Sequence, residues 1–127
     1  NYFSRNMDFS YGKDLATFLK SIDIPVHVFP DADVSVFVPK TNRVFVGADS
    51  ILYGGSIING TPTRAVAIVT KKFDLPFYCV CETAKVNTLS YLGKKVMVKQ
   101  GFDVVPYDFL AGIITENEKQ VAPFYTD

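Results

Sequence analysis

The sequence contains no tryptophan, one histidine and two cysteines, and it has no excess of charge of either sign. Thirteen Lys and Arg residues balance thirteen Asp and Glu residues. The chain therefore lacks the long-range positive field that attracts nucleic acid or an anionic membrane surface. We expect no direct nucleic-acid binding.

Long hydrophobic runs are also missing. The longest stretch without a charged residue, 50–63, is interrupted by three glycines and a proline, and it cannot span a bilayer. The first ten residues lack the basic start and apolar middle of a secretory signal. The sequence thus predicts a cytoplasmic protein without a membrane partner. Because it begins with Asn1 and not with Met, we expect it to be part of a longer protein.

The scarcity of cysteine and histidine limits the possible chemistry. Cys79 and Cys81 alternate along one strand and have no further cysteine to pair with, which favours buried thiols in a reducing cytosol. The single histidine, His27, lies within a predicted strand, where a structural role is more common. Asp31 and Asp33 flank one alanine and can share a hard cation, but most such loop pairs are simply solvated. We predict no metal and no cofactor.

With 127 residues and 48% hydrophobic content, the chain can form one domain with a core of its own. A helix is predicted from Asp8, capped by Asp8 or Ser10. Its apolar face carries Leu15, Phe18, Leu19 and Ile22. Only Tyr2 and Phe3 are left to form a strand before this helix. After it, 25–29 reads as a strand, and 33–38 reads as either a short helix or an extended segment.

Strands are predicted next at 43–46, 75–81 and 111–115, and 102–105 has a weaker strand pattern. A helix between the first two begins at Thr61 as cap with Pro62 in its first turn, and it ends near Phe73. The 75–81 strand is apolar on both faces, as in the middle of a parallel sheet. This alternation predicts an α/β fold, a Rossmann-like three-layer domain with a mostly parallel sheet.

Acidic residues follow four predicted strands: Asp31, Asp49, Glu82 and Glu116. In open parallel sheets the carboxyl ends of the strands form the ligand crevice, so a site at this edge is one interpretation. Caps of helices and turns are the alternative.

The segment 43–63 is read as a short strand followed by a polar, glycine-rich loop. Its glycines do not have the G-x-G-x-x-G or P-loop spacing. Backbone amides between Asn59 and Thr63, at a helix start, can still receive a phosphate monoester.

Lys94, Lys95 and Lys99 form a small basic cluster in the connection 83–100. A solvated face is the default interpretation and a contact with a partner is the alternative.

Four ordered motifs, VFVGADSIL, GGSIIN, LPFYCVCETAK and FDVVPYDFLAGIITE, resemble the C-terminal domain of the translation initiation factor 2B alpha/beta/delta family. That family also includes isomerases of methylthioribose 1-phosphate and ribose 1,5-bisphosphate. The resemblance runs from about Ser4 to about Pro123. It implies that residues 1–127 are the single C-terminal Rossmann-like domain of a longer protein whose N-terminal helical domain is absent.

The enzymatic branch of the family reads G-A-D-x-I-x-x-N-G-x-[IV]-x-N-K-x-G-T. This chain departs from it at Gly54, Gly60 and Pro62, where the enzymes have Asn, Lys and Gly. Gly54 thus lacks the side-chain amide that bonds sugar hydroxyls, and Gly60 lacks the cation that pairs with phosphate. Pro62 lacks a backbone N–H. The positions that are kept are Gly47, Ala48, Asp49, Ile51, Gly55, Ile57, Asn59 and Thr63.

The resemblance therefore implies a non-catalytic regulatory subunit of the factor 2B guanine-nucleotide exchange complex, with a role in assembly and in the regulation of translation initiation. The run Cys79 to Lys85 looks most like the delta subunit. The implied partners are other factor 2B subunits and initiation factor 2, in a homodimer or heterodimer.

The alternative is a sugar-phosphate isomerase in which Asp49 acts as acid or base, without the upstream cysteine that the enzymes pair with it. A sugar-phosphate or nucleotide regulator is a third possibility. Candidate ligand-binding residues are Asp31, Asp49, Gly55, Asn59, Thr63, Glu82 and Lys85.

Overall fold

The structure is a computed structural model, and it describes residues 2–5, 11–117 and 119–120. The chain divides into two compact units, 1–42 and 43–127. Among the described residues, no helix is long and apolar enough to cross a membrane.

The first unit is built on two parallel strands, β1 (Tyr2–Arg5) and β2 (His27–Pro30), joined through helix α1 (Tyr11–Ser21). The first strand is thus longer than the two residues predicted for it. The predicted caps Asp8 and Ser10 lie outside the described residues. The predicted apolar face of α1 is largely exposed: Leu15 is 43% and Phe18 is 60% exposed, whereas Ala16 is buried.

The segment 33–38, predicted as either a short helix or an extended segment, is helical. The 3-10 turn Asp31–Asp33 leads into the short helix α2 (Val34–Phe37), and the 3-10 turn Val38–Lys40 follows. Val34 and Val38 are buried, and the ring of Phe37 stacks on that of Phe29 at 4.7 Å between centroids. These contacts select the helical alternative.

The second unit contains a four-stranded sheet made of β3 (Val44–Val46), β6 (Phe77–Val80), β8 (Gly112–Ile114) and β9 (Lys119–Gln120), in that order. The first three strands are mutually parallel, and β9 runs antiparallel at one edge. The predicted α/β fold with a parallel sheet is confirmed.

Strand β6 lies between β3 and β8, in the middle of the parallel sheet, as its apolar pattern predicted. Phe77 and Cys79 on one face of β6 are buried, whereas Val80 on the other face is 47% exposed and Phe45 on β3 is 53% exposed.

A second, antiparallel sheet contains β4 (Ser50–Ile51), β5 (Ile57–Gly60) and β7 (Phe102–Val105), in the order β4-β5-β7. The weaker strand predicted at 102–105 is confirmed as β7, whereas the sheet that it joins was not predicted. Helix α3 (Thr63–Lys72) packs against β6 and β7, and the short helix α4 (Thr88–Tyr91) lies in the connection that precedes β7. The core of the unit draws on both sheets and on α3; it comprises Ala48, Ile51, Ile57, Ala67, Phe77, Cys79, Val105, Leu110 and Ile113.

Candidate functional site

Three of the four predicted strand-end acids follow neighbouring strands of the parallel sheet. Asp49 follows β3, Glu82 follows β6 and Glu116 follows β8, and these strands are neighbours that run in the same direction. Their carboxyl ends therefore lie at the same edge. Asp31 lies in the first unit, where it opens the 3-10 turn after β2, and its place at this edge stays a prediction.

Glu116 has a structural task at that edge. Its Oε1 accepts a hydrogen bond from the backbone N–H of Thr83 at 2.9 Å, and its Oε2 accepts one from the Thr83 hydroxyl at 3.0 Å. These bonds stabilise the ionised carboxylate and hold the pKa of Glu116 below its ordinary value. The carboxylate joins the end of β8 to the 3-10 turn Thr83–Lys85 after β6. For this residue, the capping interpretation fits the structure.

Asp49, Glu82 and Lys85 have exposed side chains. The backbone N–H of Asp49 donates to the carbonyl of Ile58 at 2.8 Å, which ties the end of β3 to β5. The carbonyl of Glu82 accepts from the N–H of Lys85 at 3.0 Å. The edge thus presents two carboxylates and an ammonium group to solvent, a set that can bind a polar ligand.

The two thiols lie side by side on the buried face of the sheet. Cys79 Sγ is 3.8 Å from Cys81 Sγ; Cys79 is fully buried and Cys81 is half-buried. Burial raises the pKa of Cys79, and the neighbouring Cys81 adds to the effect. Burial also raises the pKa of Cys81. Both groups are protonated thiols at neutral pH, which makes them poor nucleophiles.

The segment predicted as a glycine-rich loop is mostly a β-hairpin. β4 and β5 pair through Ser50 with Ile58 and through Ile51 with Ile57. The N–H of Gly55 donates to the carbonyl of Leu52 at 3.0 Å and closes the turn, and Gly54 and Gly55 both have φ of 93°. The loop prediction is wrong because the glycines mark a tight turn, whose left-handed backbone they suit.

The start of α3 also differs from the prediction. The helix begins at Thr63, so Pro62 occupies the cap position and Thr61 lies before it. Neither residue supplies a side-chain cap. The cap comes instead from Asp103 on β7, whose Oδ2 accepts from the backbone N–H of Arg64 at 3.0 Å. Its Oδ1 accepts from the hydroxyl of Thr61 at 3.1 Å.

Two of the candidate ligand-binding side chains bond each other. Asn59 Nδ2 donates to the hydroxyl of Thr63 at 2.9 Å, and that hydroxyl donates to the carbonyl of Gly60 at 2.6 Å. Thr63 is buried. The nearby guanidinium of Arg64 donates to the carbonyl of Val104 at 3.2 Å. The polar groups predicted to hold a phosphate are thus largely engaged within the protein.

Sequence reasoning missed Asp103, which is 39 residues from the amide that it caps. No local pattern reveals this contact, because it depends on the pairing of β5 with β7. Gly60 pairs with Phe102 and Asn59 with Asp103, which brings the carboxylate beside the helix start. Among the residues with described positions, no group of three or more His, Cys, Asp or Glu side chains is arranged to hold a metal ion.

These features define an α/β domain with an acidic edge on its parallel sheet and a helix start capped by an internal carboxylate. The family model for the Initiation factor 2 subunit family matches residues 9–117, and the chain belongs to that family.

The proteins that this chain resembles are named either as translation initiation factor 2B subunits or as sugar-phosphate isomerases. A putative translation initiation factor eIF-2B subunit 2-like protein of Pyrococcus abyssi is 29% identical over 117 residues, which cover 83% of this chain and 42% of the relative. The ribose 1,5-bisphosphate isomerase of Archaeoglobus fulgidus is 29% identical over 119 residues, which cover 77% of this chain and 38% of the enzyme. The chain thus spans less than half the length of either protein.

The crystal structure of a translation initiation factor eIF-2B from Pyrococcus horikoshii superposes with a TM-score of 0.83 at 27% identity. The match covers 96% of this chain and 49% of that structure. The fold described above is therefore the fold of this part of the family.

Proposed function

We propose that this chain is a C-terminal domain of a non-catalytic regulatory subunit of the translation initiation factor 2B complex. In this role it contributes to subunit assembly and to the regulation of guanine-nucleotide exchange on initiation factor 2, in the cytoplasm. Family membership supports the general assignment. The run Cys79 to Lys85 further favours the delta type.

One observation carries the choice of a non-catalytic role. The start of α3, where a phosphate monoester would sit in a sugar-phosphate isomerase of this design, is occupied by the carboxylate of Asp103. This carboxylate already bonds the Arg64 amide of the first turn, and a phosphate placed there would meet a like charge. The chain also has Gly60 where the enzymes have a phosphate-pairing Lys.

The two thiols of this domain do not themselves offer a reactive nucleophile. The isomerases of the family pair an upstream cysteine with the aspartate that aligns with Asp49. Within the described residues the two cysteines are Cys79 and Cys81, whose burial and raised pKa make both poor substitutes for a reactive thiol.

Assembly is the direct test. The tagged full-length protein should copurify with the other initiation factor 2B subunits and with initiation factor 2 from the same organism. Recovery as a lone homodimer would contradict the proposal.

Enzymatic assays test the alternative independently. The full-length protein should show no turnover of ribose 1,5-bisphosphate or methylthioribose 1-phosphate above background. If turnover is found and is lost in Asp49→Asn, the protein is an isomerase.

A further inference from the structure

The part of the chain that follows Glu82 combines several lysines with exposed apolar side chains. Residues 83–102, here called the lysine-rich segment, contain four lysines and no Asp, Glu or Arg. The segment carries a local charge of +4 in a chain whose formal net charge is zero. Such local asymmetry sets up a surface potential that attracts an acidic partner.

Apolar side chains in the same segment face solvent. Leu89 is 52% exposed, Leu92 is 67% exposed and Met97 is 84% exposed, which is the largest value for any large apolar side chain in the described part of the chain. Exposed apolar groups rimmed by charge are typical of protein interaction sites.

The first half of the segment is anchored to the hairpin. The N–H of Asn87 donates to the carbonyl of Ile51 at 2.8 Å, and the Asn87 side chain caps α4 through the N–H of Ser90 at 3.0 Å. The hydroxyl of Ser90 accepts from the N–H of Tyr53 at 3.0 Å. Tyr91 packs edge-on against Tyr53 at 5.2 Å between ring centroids. Leu89 and Leu92 are therefore presented on a fixed support.

The far end is held as well. The carbonyl of Gly101 accepts from the N–H of Thr61 at 2.9 Å, and the carbonyl of Lys99 accepts from the N–H of Phe102 at 3.2 Å. The stretch that carries Lys94, Lys95 and Met97 is thus tied at both ends. Tethering reduces the conformational entropy that docking must overcome.

We propose that the lysine-rich segment docks an acidic protein surface that carries apolar side chains, on another subunit of the complex. This inference rests on the proposed function, because it identifies the contact through which the domain takes part in assembly. Carboxylates of the partner meet Lys94, Lys95 and Lys99, while its apolar groups cover Leu92 and Met97. A nucleic-acid backbone offers no comparable burial for aliphatic side chains, so charge and apolar exposure together favour a protein.

The test uses the full-length protein, labelled with a fluorophore and titrated with the complex of the remaining subunits purified without it. The charge-reversed variant Lys94→Glu/Lys95→Glu/Lys99→Glu should bind at least about tenfold more weakly and with a smaller salt dependence than wild type. A second variant, Leu92→Ser/Met97→Ser, keeps all charges and should also weaken binding. All five positions are exposed, so the folded domain should be retained.

A matched control carries the same change in charge elsewhere. Lys13, Lys20 and Lys72 are exposed helical lysines, and their combined change to Glu should leave the affinity within about twofold of wild type.

If both segment variants bind like wild type, the docking proposal is overturned while the proposed function stands. If wild type itself does not bind the other subunits, the proposed function fails and the docking proposal with it. If the segment variants lose binding only to polyuridylate RNA, the surface belongs to nucleic acid and the proposal is wrong.

Discussion

The carboxylate of Asp103, on β7, caps the first turn of α3 through the backbone N–H of Arg64, with 3.0 Å between Oδ2 and N. This bond joins the antiparallel sheet to the helix that packs on it. It also places a negative charge at the positive end of the helix dipole. The same contact that stabilises the fold therefore fills the place where an anionic ligand would bind.

Asp103→Ala should destabilise the protein by about 0.5–2 kcal/mol, the usual loss for a side-chain helix cap. The substitution removes the acceptor for both the Arg64 amide and the Thr61 hydroxyl. Urea unfolding followed by circular dichroism measures the change in the free energy of unfolding.

Asp108→Ala provides the matched control for this prediction. Asp108 forms an exposed ion pair with Lys71 at 3.7 Å, and such pairs contribute about 0–1 kcal/mol. The Asp103 variant should therefore lose more stability than the Asp108 variant. Equal losses would show that the cap is not an important contact.

Two glycines that replace enzyme residues in the family pattern should respond differently to alanine. Gly54 has φ of 93° in the hairpin turn, so Gly54→Ala should cost roughly 1–2 kcal/mol even though a Cβ there meets nothing within 4 Å. Gly60 has equally open space and no left-handed φ, so Gly60→Ala should change stability by about 0.5 kcal/mol or less. The unfolding midpoints of the two variants, each compared with that of wild type, measure this difference in stability.

This difference bears on function. Asn also tolerates the left-handed backbone, so either Asn or Gly at position 54 preserves the turn. At Gly60 the backbone imposes no such restriction, and an added Cβ meets nothing within 4 Å. The absence of a Lys at position 60 is then a change in chemistry. A large destabilisation of Gly60→Ala would instead make this glycine a structural requirement.

The parallel sheet was predictable because its signals are local. Residues 43–46, 75–81 and 111–115 are apolar runs between turn-forming residues, and each contains an observed strand. The end of α3 near Phe73 was predictable for the same reason. Because Glu82 and Glu116 directly follow two of these apolar runs, their places at the carboxyl ends of the strands were also predictable.

The antiparallel sheet and the helix cap were not predictable in this way. β5 pairs with β7 across more than forty residues, and the glycines that precede β5 are equally compatible with a loop. Only this pairing brings Asp103 to the helix start. The unequal exposure of Cys79 and Val80 on the two faces of β6 likewise depends on tertiary packing, which strand propensity does not encode.

The two cysteines should differ in reactivity and in their contribution to stability. Iodoacetamide should modify half-buried Cys81 slowly and fully buried Cys79 hardly at all at neutral pH, because burial raises the pKa of both thiols. Mass spectrometry of the alkylated protein gives the order of modification, and reaction in denaturant provides the control in which both react. Faster modification of Cys79 than of Cys81 would contradict the described packing.

The two cysteines should also differ in their contribution to stability. Cys79→Ser should lower the free energy of unfolding by about 1–3 kcal/mol, since it introduces a hydroxyl into an apolar core, and Cys81→Ser should lower it less.

The contribution of Glu116 to stability should depend on pH. Its pKa is lowered in the folded protein by the two bonds from Thr83, so the unfolded chain binds its proton first as the pH falls. The stabilisation is therefore present above the ordinary glutamate value of about 4.5 and is lost as the pH falls through the lower folded value. Melting temperatures of wild type and Glu116→Gln should differ at neutral pH and converge in acid. A constant gap between wild type and Glu116→Gln at every pH would contradict the prediction.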